Sequence, residues 1–451
     1  MSIEVGKLLD HRNGIQKKRI FWDEELYRLE MERIFARSWL FLTHESEIPK
    51  PGDFFCTYMG EDAVIVTRTR SGEIRAYLNT CTHRGNQLCQ AEAGNTRSFT
   101  CSYHGWSFDL EGKLAAVPLE ADAYHNLLDK DRLGLPRVPK VESFGGFIFG
   151  CFDPDAPSLR DYLGEMAWYL ETFTARAGVE LLGPPLKSVL HCNWKVPTEN
   201  FICDSYHVGW THAAALKVMG GPLAAMSGNT QAPPGIGIQV STRHGHGFGV
   251  IWEAASALHR QPDYEEFLRA KQPEVAALLG EMRGKLYRAH WDAGIFPNCS
   301  FLYGTNIWKM WHPRGPHECE VWSWTLVEKD MPADLKRKIQ KEALRTFGTA
   351  GTFESDDGVN MHGCTYTNAG PHARRGEMVS VMGIDHDSTH PELPGFVNDA
   401  NYSEIAMRGF YRFYAELAEA RDWNEIIART HTVARNGGNS NGAPQTATPR
   451  P

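Results

Sequence analysis

An α+β fold is what the sequence predicts, with a small all-β domain set ahead of a larger mixed domain built on an antiparallel sheet. Three observations carry this. Residues 53–153 contain short β-rich runs, AVIVTRT, EIRAYLN and GGFIFGCF, broken by the turn signals Ser71-Gly72 and Glu111-Gly112. Beyond Pro157 a helical period dominates in DYLGEMAWYLETF, EEFLRAKQPEVAALLGEMRGKLYRAH and ADLKRKIQKEALRTF. Between those helices lie the strand-like segments IGIQVST, FGVIWE, NIWKMW and CEVWSWTLV, a mixture that packs as helices against one sheet.

Ahead of the β-rich region, DEELYRLEMERIFA (23–36) places Leu26, Leu29, Arg33 and Ile34 at helical spacing, with acidic residues in the first turn. The chain of 451 residues exceeds what one core usually organises. It divides into an N-terminal helical part (1–37), a β domain (38–156), a mixed domain (157–433) and a tail (434–451). The tail is dominated by Gly, Asn, Ser, Pro and Thr, lacks the apolar surface to fold, and is expected to be disordered.

With 42% hydrophobic and 23% charged residues, the composition is that of an ordinary globular protein. A net charge of −8 with no basic block argues against a nucleic-acid partner and favours a small molecule or a protein. The start, MSIEVGKLLDHRNG, lacks the pattern of a secretion signal, and no run of eighteen apolar residues occurs, so no membrane role and a cytoplasmic location are expected. In that setting the ten cysteines are expected to be thiols or metal ligands. Eight are scattered; Cys81 and Cys101 are not.

Cys81-Thr-His83 is followed, after seventeen residues, by Cys101-Ser-Tyr-His104. A Rieske centre needs two thiolates on one iron and two imidazoles on the other, so each of two loops supplies one ligand of each kind. Gly105 directly follows the second pair and Gly85 follows the first after Arg84, where the backbone must turn tightly. A structural zinc site is the competing reading, but zinc sets favour C-x₂₋₄-C and H-x₃₋₅-H pairs, whereas each pair here mixes Cys with His. Through Cys81, His83, Arg84, Gly85, Cys101, His104, Gly105 and Trp106 the segment resembles Rieske proteins. The electron carriers among them add two cysteines beside the ligands; Asn86 and Tyr103 stand there in this chain, as in the oxygenase branch.

A second constellation follows the strand-like LHCNWKV and spans Glu199 to His212. Oxygen-activating non-haem iron uses two His and one carboxylate on one face, leaving positions open. In a regular helix His207 and His212, five residues apart, point about 140° away from one another. A shared metal therefore requires a π-bulge or a break between them. Taken alone, H-x₄-H arises by chance as readily as by function. A carboxylate must come from farther along, and Glu354, Asp356 and Asp357 are equivalent candidates on composition; capping or solvating a helix end is their structural alternative. Asp204, three residues before His207, shares that ligand's helix face and suits a carboxylate that accepts the imidazole N–H.

The run N-W-K-x₄-E-N-x₃-D-x-Y-H-x₄-H, from Asn193 to His212, resembles the mononuclear-iron motif of Rieske non-haem iron aromatic-ring-hydroxylating oxygenase large (alpha) subunits, the naphthalene-dioxygenase-like group. The likeness extends to RGFYRFYAELAEARDW near the C-terminus. It implies a Rieske domain inserted in a catalytic domain with a helix-grip-like sheet. It implies one [2Fe–2S] cluster on Cys81, His83, Cys101 and His104, and one Fe(II) on His207, His212 and Asp357, with Asp356 the second choice. Asp204 would join His207 to His104 of the partner subunit, carrying electrons between chains. Also implied are an α₃β₃ assembly with a small β subunit, a ferredoxin, and a reductase that takes electrons from NADH; no dinucleotide fingerprint occurs in this chain. The implied reaction is insertion of both atoms of O₂ into a small aromatic substrate as a cis-diol. The implied pocket is Asn200, Phe201, Val208, Leu223, His290, Leu302, Thr305, Phe347 and Phe353, mostly apolar as a neutral arene requires. Asp292, near His290, departs from the neutral residue the resemblance implies. No Arg falls at an implied pocket position, which disfavours a carboxylated substrate such as salicylate. A Rieske monooxygenase and a non-catalytic electron carrier are the alternatives.

Overall fold

Strand alternation and Gly-bearing turns build the first part of the chain. The structure, a computed structural model, describes residues 3–220, 224–228, 235–259 and 261–428; the tail 434–451 lies outside the described residues. Strands Asp53–Met59, Asp62–Arg68 and Ile74–Leu78 form a meander that Ala93–Asn95 extends on the far edge. Gly72 and Gly112 adopt φ of +90° and +80° at the expected turns. A small sheet of Ser98–Thr100, Ser107–Asp109 and Leu114–Ala116 completes this half. Its own core contains Phe54, Ile65, Tyr77, Leu88, Phe99, Trp106 and Phe108. Strands Leu40–His44, Lys140–Phe144 and Phe147–Cys151 form a third sheet, whose inward residues join the larger core instead. Phe147 stacks on Trp308 at 4.0 Å, fastening the β half to the main sheet.

Among the described residues the main sheet has eight strands, all paired antiparallel, in the order Val179–Leu190, Cys319–Glu328, Ile307–Pro313, Cys299–Tyr303, His290–Ile295, Gly247–Ile251, Gly237–Ser241, Phe396–Asn398. The central strands are buried on both faces, which explains their near-continuous apolar sequence. Helices Lys195–Cys203 and Ile405–Glu419 pack against one another and across this sheet, and the first of them leads into the histidine segment.

Several helical segments are shorter than the periodicity predicts. DYLGEMAWYLETF divides at Gly164 (φ +51°) into Leu159–Leu163 and Glu165–Thr174. The long EEFL segment divides at Gly280 (φ +95°), where a non-glycine residue would be strained. The N-terminal helix is α only over Glu24–Glu30, capped by Asp23, and continues as a π turn over Met31–Phe35. LHCNWKV is not a strand throughout: the strand ends at Leu190, and Lys195 already opens the next helix.

One buried ion pair joins three of these parts. Lys195 Nζ lies 2.5 Å from Glu30 Oε1, with both side chains almost inaccessible to solvent. Trp194 Nε1 and Tyr414 Oη also donate to the Glu30 carboxylate, at 2.8 and 2.5 Å. The N-terminal helix, the helix entering the site and the C-terminal helix thus share one fully hydrogen-bonded charge. Replacing Lys195 by Met strands a buried carboxylate with no cation. The expected cost is about 3–5 kcal/mol, measured as a lowered urea midpoint.

Candidate active site

Two loops of the β half present the first set of donors with matching backbone bonds. Gly85 N donates to Cys81 O at 2.8 Å and Gly105 N to Cys101 O at 3.0 Å; Cys81 N and Cys101 N donate in turn to Asn86 O and Trp106 O. Both glycines take positive φ, +71° and +73°, as such turns require. The loops bring the His83 and His104 rings to a centroid distance of 4.5 Å, and His83 stacks on Trp106 at 4.6 Å. Cys81 and Cys101 are buried, and Asn86 Nδ2 sits 3.6 Å from Cys101 Sγ. His83 Nδ1 is buried without a hydrogen-bond partner. Two enclosed sulfurs opposite two imidazoles, one with an orphaned nitrogen, suit a cluster that the ligand set would complete. His104 and Tyr103 are exposed at the tip of this half.

The second set forms where the chain leaves helix Lys195–Cys203. Asp204 has φ −80°, ψ +61°, and a single helical turn follows at Val208–Thr211. His212 is itself non-helical (φ −99°, ψ +17°) before the next helix, Ala213–Met219. The expected distortion therefore sits at the flanks, Asp204 and His212, and no π turn separates the two histidines. Kinking at His212 brings the rings to 5.2 Å.

Asp357 meets both histidines from helix Thr352–Asn368. Its Oδ1 lies 3.3 Å from His207 Nε2 and 3.2 Å from His212 Nε2, yet makes no hydrogen bond. Two ring nitrogens and one buried carboxylate oxygen, all within 4.8 Å of one another, are a two-His, one-carboxylate donor set that a divalent iron fits. Burial opposes charge at Asp357, but His207 and His212 outweigh it and hold the carboxyl below its ordinary range.

The neighbouring acids are separated by helix phase. Glu354 accepts from Lys309 Nζ at 2.8 Å in the core, so it neither caps nor solvates the helix. Asp356 Oδ2 faces His212 Nδ1 at 3.3 Å, behind the ring, where it orients the imidazole. On His207 the corresponding contact from Nδ1 goes to the Asp204 backbone carbonyl, with the Asp204 carboxylate 3.5 Å away. Asn200 Nδ2 lies 3.3 Å from the same Nδ1.

Comparison with known proteins matches both parts of the chain that carry these residues. Residues 38–139 match the Rieske [2Fe-2S] domain, and residues 159–420 match the catalytic domain of the ring hydroxylating alpha subunit. The chain belongs to the ring-hydroxylating alpha-subunit family. It is 47% identical over 432 residues to the large oxygenase component of a naphthalene 1,2-dioxygenase system from Pseudomonas aeruginosa, covering 94% of this chain and 96% of that one. The large component of a 2,4-dinitrotoluene dioxygenase system from Burkholderia is 44% identical, covering 91% and 92%. A crystal structure of naphthalene 1,2-dioxygenase with indole bound superimposes with a TM-score of 0.92 at 44% identity, covering 95% and 97%. This alpha subunit is thus a terminal oxygenase component of a multicomponent aromatic dioxygenase system, with a Rieske cluster and a mononuclear iron as its cofactors. A zinc module and a lone electron carrier do not account for the second matched domain. Among the described residues no helix is long and apolar enough to cross a membrane.

In this ring-hydroxylating subunit a cavity of ≈ 220 Å³ opens beside Asp357, His207 and His212. Asn200, Phe201, Val208, His290, Leu302, Phe347 and Phe353 line it. Thr305 does not; it is fully buried, with Oγ1 donating to the Leu302 carbonyl. Leu223 lies outside the described residues. Sequence reasoning missed Ser205, Leu216, Met226, Ile236, Ile251, Asn401 and Tyr402 on the walls. Leu216, four residues after His212, was available from helix phase; Asn401 and Tyr402 arrive from a distant loop and carry no local signal.

Glu199 sits behind Asp204 in the alpha subunit and accepts from Tyr411 Oη at 2.6 Å. Burial, and next the nearby Asp204 charge among the raising influences, pushes its carboxyl up to about 8. The unfolded carboxyl ionises near 4.5 while the folded one keeps its proton, so this group's contribution to stability falls as pH rises from 4.5 to about 8. Glu199→Gln is expected to lose less stability than the parent between those values, read from urea midpoints at pH 5 and pH 8.

Proposed function

We propose that this chain catalyses the O₂- and NADH-dependent cis-dihydroxylation of a neutral mono- or polycyclic aromatic hydrocarbon. The convergence of His207, His212 and Asp357 at one end of an apolar cavity carries the reading. His207, His212 and Asp357 would hold the mononuclear iron, and Cys81, His83, Cys101 and His104 the cluster. When bound, the iron supplies oxygen activation beside the substrate and the cluster supplies electrons.

The chain's own residues do the rest. Phe201, Val208, Leu302, Phe347 and Phe353 exclude water and hold a flat ring against the donor set. The Asp204 carbonyl and Asp356 fix the two imidazoles from behind, so each presents Nε2 forward. Neither Arg nor Lys lines the cavity among the described residues, so a substrate carboxylate would be buried without a cation. This favours a neutral arene over salicylate and its kind.

Asp204, 31% exposed, is proposed to bridge to His104 of the partner subunit in an α₃β₃ assembly fed by a ferredoxin and a reductase. Exposure of Tyr103 and His104 on one side, and of Tyr206 and Trp210 on the other, supports contact between chains. The test is turnover of a panel of small arenes with a generic ferredoxin and reductase, with products identified. Diols from neutral rings are expected; phenols alone, or turnover of benzoates alone, would overturn the reading. Asp357→Asn is expected to remove about one iron per chain with acid-labile sulfide unchanged, and to lower turnover at least a hundredfold.

A further inference from the structure

The cavity carries one charged group that an unsubstituted hydrocarbon does not use. Asp292 lies on strand His290–Ile295 and is the one residue of that strand that is not buried. Alternation places His290 and Asp292 on the same face, and both side chains reach the cavity wall. Their cross-strand neighbours Ile251 and Leu302 line the same wall, so the polar pair is set in an apolar surround.

The contacts of Asp292 leave it partly unsatisfied. His290 Nε2 lies 3.1 Å from Oδ1, and Ser205 Oγ donates to Oδ2 at 3.1 Å. A carboxylate offers about four acceptor sites, so these two bonds leave about two unfilled. Among the described residues three acids line the cavity. Asp357 is committed to the histidine nitrogens and Asp204 to the neighbourhood of His207 Nδ1. Away from those commitments Asp292 keeps acceptor capacity that can face a ligand; Asn401 Oδ1, also on the cavity lining, is an unpartnered acceptor too, but a neutral amide. In an enclosed apolar space, a substrate group that donates to this carboxylate gains a charge-assisted bond, whereas a C–H at the same place leaves the acceptor unfilled.

We infer that Asp292, held by His290 and Ser205, is a specificity-determining acceptor that selects compact arenes bearing one neutral N–H or O–H donor over hydrocarbons of the same shape. This deepens the proposed arene reading and rests on it. Because the anchor and the metal-side donors lie on fixed walls of one cavity, the donor substituent would also set which ring edge faces the iron site.

The test is equilibrium binding to the anaerobic holoenzyme with its cluster oxidised, so that no turnover occurs, using the isosteric probes indole and indene. The expected result is indole bound about tenfold more tightly than indene by the parent protein. In Asp292→Asn that ratio is expected to fall to within about twofold, with the visible spectrum of the cluster reporting a folded variant. Equal binding of the two probes by the parent overturns the inference alone, whatever the variant does. A tenfold preference that survives in Asp292→Asn also overturns it, because the acceptor then lies elsewhere. Binding of neither probe overturns the arene reading and this inference with it.

Discussion

The carboxylate of Glu30 ties together three parts of the chain that also pack through Phe35, Trp194 and Phe410. Its charge is buried and is matched by Lys195, Trp194 and Tyr414, from the start of the site helix and from the C-terminal helix. A buried charge tolerates little displacement of its partners, since each lost bond leaves it desolvated. The helix that ends at Asp204 is therefore fixed at its first turn, which sets where His207 and His212 emerge.

From that fixed start the site is assembled by interruption. The helix stops at Asp204, re-forms for one turn and kinks again at His212. A continuous helix would spread the two imidazoles around its circumference. The interrupted one turns both Nε2 atoms toward Asp357, and the atoms behind the rings, the Asp204 carbonyl and the Asp356 carboxylate, fix their orientation. Three donor atoms converging within 4.8 Å of one another suit a bound cation or shared protons. Lys309 meanwhile draws Glu354 into the core, which leaves Asp357 as the carboxylate free for the histidines.

The cavity joins this donor set to an apolar space with one unusual wall. Ring-hydroxylating relatives of similar identity bear names for naphthalene and for dinitrotoluene, so overall likeness does not set the substrate. Individual wall residues must do so. Asp292 is the wall residue whose chemistry differs most from its surroundings, and its partners His290 and Ser205 come from the sheet and from the iron-motif segment respectively. Ser205 thereby ties the Asp292 wall to the segment that carries the histidine donors.

What the sequence determined by itself was whatever depends on local spacing. The four cluster donors lie in two short loops whose glycines and mixed pairs state their geometry without reference to the rest of the chain. The alternation of the β half and the central strands was equally legible, because burial on one or both faces writes a direct pattern. Glycine breaks at Gly164 and Gly280 were misread as helix interior, since the apolar period continues across them. Local spacing left Glu354, Asp356 and Asp357 equivalent, with the family resemblance pointing to Asp357; the tertiary structure separates them by the direction each takes from one helix and by what waits there: Lys309, the back of His212, or both ring nitrogens. It also decided that Thr305 is buried away from the cavity and that Asn401, Tyr402 and Ile236 line it. Those walls are contributed by segments far apart in sequence, and only the packing of sheet and helices brings them to one place.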